Sequence, residues 1–155
     1  MRITAEELYK KFVEVTAEVK EDFRRRGLIV PVSNKDGSIS VGSYRIVKDR
    51  NDLYTIVDSK NRVELDSINL PQTAIIMAND LALRKFLDRS IIKRDQEYGY
   101  ALFKEQLYRR ALQRSKNQPI ERFDLMAAKS SINREKKERC RRDIEHSFEK
   151  LTKIL

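Results

Sequence analysis

Between Leu70 and Leu87 the chain reads LPQTAIIMANDLALRKFL, its only long segment with apolar residues on more than one face of a helix. Pro71 suits a first helical turn, where its missing N–H costs nothing and its fixed φ is already helical. Ile75, Ala78, Ala82 and Phe86 follow at three- and four-residue steps, Ile76, Leu83 and Leu87 fill a neighbouring stripe, and Met77 and Leu81 widen it. A helix apolar around most of its girth has to be covered on several sides. The segment therefore predicts a core helix on which the rest of the chain packs. It names no reaction.

At 155 residues the chain is expected to build one core and to bury roughly 70% of the surface of its unfolded state. Charged residues make up 37% of it, but the apolar residues are clustered and periodic, which argues for a folded protein. Cys140 is the only cysteine, so no intramolecular disulfide forms. Glu6, Glu7 and Lys10 stand where a signal peptide needs an apolar run, and no segment has the roughly 18 uninterrupted apolar residues of a membrane span. The expected location is a cytoplasm or a particle assembled there, neither secreted nor membrane-bound.

The net charge is +9, and residues 71–155 hold 20 Lys and Arg against 12 Asp and Glu, so eight of the nine excess charges lie there. A field of that sign attracts phosphate or acidic protein surface. Solvated helix faces that lean basic are the plainer alternative.

Thr4-Ala5-Glu6-Glu7 is a capping box, and Leu8, Phe12, Val15, Val19 and Phe23 then recur at helical steps. Gly27 ends that helix after Arg24-Arg25-Arg26, cations suited to a helix C-terminus. From Leu28 to Ile68 the period becomes alternating. LIVPV, with Pro31, suits an edge strand; Asp36-Gly37 is a turn; and Tyr44 to Lys48, Leu53 to Asp58 and Arg62 to Ile68 are strand candidates, with Tyr54 and Ile56 on one face and Val63, Leu65 and Ser67 together on another. Beyond the core helix, a break at Asp88-Arg89-Ser90 leads to a helix over Lys93 to Ser115 with Tyr98, Ala101, Leu102, Leu107 or Tyr108, and Leu112 inward and Gly99 as a weak point. Asn117-Gln118-Pro119 is the clearest break. A short helix, Ile120 to Ala128, precedes an interruption at Ser130-Ser131 and a last helix with Cys140, Ile144, Phe148, Leu151 and Leu155 in step. The expectation is an α+β fold, mainly helical with about five helices and a small antiparallel meander of three or four strands after the first. Residues 1–117 form its core domain and residues 118–155 a basic helical segment packed on or projecting from it.

His146, the only histidine, lies six residues after Cys140, about 240° away around a helix, so the two diverge and make no nucleophilic pair. One His and one Cys supply no zinc site, the acids lack EF-hand spacing, and four glycines at 27, 37, 42 and 99 permit neither GxGxxG nor a P-loop. Glu64 and Asp66 share a strand face near Asp58 and Lys60, without the order of a metal-dependent nuclease. No catalytic residue, metal or cofactor is expected. What remains is three basic clusters: Arg84, Lys85 and Arg89; Arg109, Arg110 and Arg114; and Lys136, Lys137, Arg139, Arg141 and Arg142. They would form one surface if their helices pack side by side, and acids such as Glu135 and Glu138 are spaced to pair within them.

GSYRIVKDRNDLYTIVDSKNRVELDSINLPQTAIIMANDLAL and the later YGYALFKEQLYRRALQRS, together about residues 40 to 115, resemble small proteins of tailed bacteriophages, the marine T4-like ones in particular. The resemblance carries no functional residue. It implies a non-enzymatic role in the virion, its assembly, or phage nucleic-acid handling. Two functions stay open: a structural or assembly protein docking on repeated protein partners through charged helix faces, and an accessory protein holding DNA non-specifically through its phosphates.

Overall fold

The computed structural model describes residues 17–114, 116 and 120–152. The capping box at Thr4, the stripe residues Leu8, Phe12 and Val15, the break at Asn117 to Pro119 and Leu155 lie outside the described residues. The elements run α1 (Ala17–Arg25), β1 (Val32–Ser33), β2 (Ile39–Val41), β3 (Tyr44–Lys48), β4 (Tyr54–Val57), β5 (Val63–Ile68), α2 (Pro71–Ala82), α3 (Arg89–Arg114) and α4 (Ile120–Thr152). The class is α+β, with four helices among the described residues where about five were expected. The two helices expected after Pro119 are one: Ser130 is buried within an unbroken α4. A serine in a helix interior costs only tenths of a kcal/mol, less than its packing returns.

Five strands, not three or four, pair antiparallel in the order β1-β2-β3-β4-β5. The extra strand is β2, three residues held between the Asp36-Gly37 turn and a two-residue turn, Gly42-Ser43, that brings Val41 opposite Tyr44. LIVPV contributes only Val32, after Pro31, to the two-residue edge strand Val32–Ser33. Ile39, Val41, Ile46, Tyr54 and Ile56 are buried on one face of the sheet, as alternation requires. In β5 the alternation fails. Two register shifts against β4, with Ser67 at φ 55°, bring Ile68 into the core beside the partly buried Leu65 and leave Val63, expected with Leu65 and Ser67, exposed. Such bulges bend an edge strand and turn its side chains by one position.

The core helix exists, but it is shorter than its apolar run. Pro71 to Asn79 are all buried. Ala74, Ile75, Met77 and Ala78 pack with the sheet residues and Phe23, while Leu70 joins Tyr98, Cys140 and Ile144. So α2 is the middle layer, between the sheet and the α3–α4 pair. Buried Asn79 accepts the N–H of Ile29 (2.9 Å) and donates to its carbonyl (3.3 Å), holding the segment between α1 and the sheet.

Two helices end alike. Leu28 N–H reaches the Phe23 carbonyl and Gly27 N–H that of Arg24, with Gly27 at φ 69°; Lys85 N–H reaches the Asp80 carbonyl and Arg84 N–H that of Leu81, with Arg84 at φ 55°. Both are Schellman motifs. The second puts arginine where glycine costs least, and it stops α2 at Ala82, five residues short of the expected Leu87. Phe86, expected in the apolar stripe, is fully exposed. Arg84→Gly is expected to raise stability by about 0.5 kcal/mol, read as a higher urea midpoint at unchanged m-value.

Asp88 then caps α3: its carboxylate accepts the Ser90 N–H (2.9 Å) and hydroxyl (2.6 Å). The hydrogen bonds to Ser90 hold its carboxyl below the ordinary aspartate value. The helix therefore starts at Arg89, a turn earlier than Lys93. α3 and α4 pack antiparallel as a long hairpin, with α4 also touching α1 and α2.

Candidate functional site

The inward stripe of α3 is Ile91, Asp95, Tyr98, Ala101 and Glu105, all buried, and two of its five members are acids. Each acid does a distinct job.

Asp95 reaches across to the start of α2. It accepts the backbone N–H of Leu70 (2.9 Å to Oδ1), that of Asn69 (2.9 Å to Oδ2) and the Asn69 side-chain amide (3.1 Å), while the same amide also donates to the Asp95 carbonyl (2.9 Å). The start of α2 thus takes its carboxylate from another helix, where a cap would otherwise come from its own chain. Burial pushes the Asp95 carboxyl above its usual value, against the pull of the Asn69 and Leu70 amides. Gly99 makes this approach possible, because a Cβ there would lie 2.5 Å from Asn69 Nδ2. What reads as a weak point in α3 is a clearance.

Glu105 sits between the two helices of the hairpin. Arg109 Nη2 lies 2.6 Å from Oε1, Lys137 Nζ 2.8 Å from Oε2, and Arg134 Nε 3.9 Å from Oε1 without a hydrogen bond of its own. Burial would raise its carboxyl, but the Lys137 hydrogen bond and the charges of Lys137, Arg109 and Arg134 outweigh it and hold Glu105 below the glutamate range.

These acids sort the expected basic residues. Arg109 and Lys137 turn inward to Glu105, and Arg141 pairs with Glu145 (2.9 Å). Arg139 and Arg142 are exposed on α4, while Lys136 lies over the Tyr100 ring, so helix periodicity splits the α4 cluster into a paired side and a solvent side. Arg110 and Arg114 are exposed at the far end of α3. Arg84 and Lys85, expected on the core helix, lie in the turn beyond it, and Arg89 opens α3. The helices do pack side by side, but the clusters are strung along α3, Arg89 and Arg110 being about 30 Å apart at 1.5 Å per residue.

The exposed faces of the hairpin also carry large apolar side chains that an apolar-in, charged-out reading misses. Tyr100, Phe103 and Leu107 on α3 and Leu125 and Ile132 on α4 are between 41% and 63% exposed. Of the alternatives Leu107 and Tyr108 expected inward, Leu107 is one of them and Tyr108 is half-buried. Lys104 and Lys136 lie 5.5 and 5.9 Å from the Tyr100 ring centre, within cation–π range, and Lys136 reaches it from the other helix. Lys136 thus links α4 to the Tyr100 ring of α3.

Elsewhere the chemistry is local. Cys140 is buried, its thiol raised by burial and by Glu97, whose Oε2 lies 3.7 Å from Sγ; His146 is exposed. Asp58 turns its oxygens to the Lys60 and Arg62 amides of the β4–β5 turn, while Glu64 and Asp66 are exposed on β5. Among the described residues, no group of three or more His, Cys, Asp or Glu is placed to hold a metal, and no helix is long and apolar enough to cross a membrane. Comparison with protein-family models, curated sequences and solved structures returns no match.

Proposed function

We propose that this chain is a non-enzymatic docking protein, a structural or assembly component of a bacteriophage virion that binds repeated protein partners through the outer face of its α3–α4 hairpin. The observation that carries the reading is the set Tyr100, Phe103, Leu107, Leu125 and Ile132, exposed among lysines and arginines. Large apolar side chains left exposed beside charged ones are a feature of association sites. The resemblance of residues 40 to 115 to small phage proteins supports the virion part. DNA held through its phosphates is the second reading, favoured by the exposed Arg110, Arg114, Arg139 and Arg142.

The test is native mass measurement of the complex formed by the full tagged chain in the cell that makes it. A fixed stoichiometry with protein partners, unchanged by nuclease and lost in Phe103→Asp, supports docking. A complex dispersed by nuclease overturns it in favour of DNA, whose affinity should then fall with salt at about 0.9 in log K per log salt for each phosphate neutralised. An isolated chain overturns both.

A further inference from the structure

Away from the hairpin faces, where α1, α2 and α4 end and α3 begins, the chain forms an open recess of about 420 Å³. That is within the size range of small-molecule sites. Leu28, Ile76 and Ile91 give it an apolar lining, and Arg26, Lys85 and Lys150 bring three cations to it from three separate segments. No ion pair to any of the three is present among the described residues. Arg26 Nη1 donates to the Lys150 carbonyl (3.0 Å), while its Nη2 is enclosed without an acceptor. A stranded guanidinium donor is costly. An oxyanion in the recess, drawing the guanidinium outward, would satisfy it.

Cations suit the ends of helices on their own, so charge alone names no ligand. Phe86 narrows the choice. It lines the same recess and is fully exposed. A planar ring left open beside cations is a platform on which a base stacks while its phosphate is neutralised. Two acids also line the recess. Asp88 gives its carboxylate to Ser90, which leaves the half-buried Asp80 to accept from the amino group of a base. An apolar anion such as a fatty acid has no donor to offer it.

We infer that this recess binds a nucleotide with an amino-bearing base, its phosphate on Arg26, Lys85 and Lys150 and its base stacked on Phe86. The inference stands apart from hairpin docking, with which it shares no residue. The same chemistry is offered by a free nucleotide and by one unit of a single strand. The probe is AMP, titrated into the nitrogen-labelled full chain and followed by NMR. Adenosine, inorganic phosphate and a short oligodeoxyadenylate are titrated in parallel.

The expected result is saturable shifts at the amides of Lys85, Phe86 and Ile91, with AMP bound roughly ten-fold tighter than adenosine or phosphate. Phe86→Ala and Lys85→Glu, both at exposed positions, should each weaken AMP by about ten-fold. Lys60→Glu, the same change of charge on the exposed β4–β5 turn, should leave it unchanged. A strand that binds more tightly than AMP, with the same dependence on Phe86, assigns the site to nucleic acid; AMP at least as tight assigns it to a free nucleotide. Equal binding of AMP and phosphate means charge attraction alone and overturns the inference. So does an equal loss in Lys60→Glu, or the absence of saturable shifts. Capture by anionic phospholipid vesicles that depends on Phe86, with AMP moving no amide, overturns it in favour of a membrane surface.

Discussion

Asp95→Ala is expected to lower the unfolding free energy by about 3 kcal/mol, more than most single substitutions do. The variant removes the acceptor for the N–H groups of Asn69 and Leu70 and for the Asn69 side chain. Each stranded donor costs about 1–3 kcal/mol when water cannot reach it. The total stays below the sum because burial of the carboxylate is itself unfavourable, as its raised titration shows. A thermal midpoint lower by about 6–12 °C is the corresponding readout. Gly99→Ala tests the same contact from the other helix. In an ordinary helix interior it gains about 1 kcal/mol; here its Cβ displaces the Asn69 amide, so the sign reverses. A midpoint that rises in Gly99→Ala, or stays put in Asp95→Ala, would show that the contact holds nothing.

Glu105→Ala should cost about 2–3 kcal/mol. Removing one member of a buried ionic group is more damaging than the group is stabilising, since its partners are left without a counter-charge. Arg109 and Arg134, at 60% and 41% exposed, can swing to water, but Lys137, at 19%, is confined. The pH signature separates this from a packing loss. Because the folded-state value of Glu105 is depressed, its contribution is present above the ordinary glutamate value of 4.5 and is lost as pH falls through the lower folded value. Asp95 acts with the opposite sign. Its folded value is raised, so its contribution is present below the ordinary value of 3.8 and declines as pH climbs through the folded one. Glu105→Gln should therefore flatten the acid limb of a stability curve measured by urea unfolding below pH 5, while Asp95→Asn should not. An unchanged acid limb in Glu105→Gln would rule out the charge cluster as its origin.

The pair Gly27 and Arg84 shows what a sequence does and does not announce. Both close a helix with the same hydrogen bonds, but only glycine is a recognisable stop, so the run to Leu87 read as helix. The α3 stripe was legible only at Tyr98, Ala101 and Leu102, for a related reason: periodicity is sought in apolar residues, and Asp95 and Glu105 occupy inward positions as acids whose partners come from other elements. Likewise, the five consecutive-looking cations from Lys136 to Arg142 give no hint that Lys137 and Arg141 pair with acids and Lys136 lies over Tyr100 while Arg139 and Arg142 face solvent. Helical phase settles it once the inward face of α4 is anchored by Cys140 and Ile144. β2 was hidden by its length of three residues. The core helix, the Tyr54 and Ile56 face, and the helical C-terminal half were legible because each rests on a local pattern.

The two borders of the sheet bear on edge-to-edge association. One is a two-residue strand and the other is kinked twice and bears Glu64 and Asp66. Neither offers a straight row of free amides for another molecule to zip onto. Copies of the chain would thus not pair through their sheet edges into fibres.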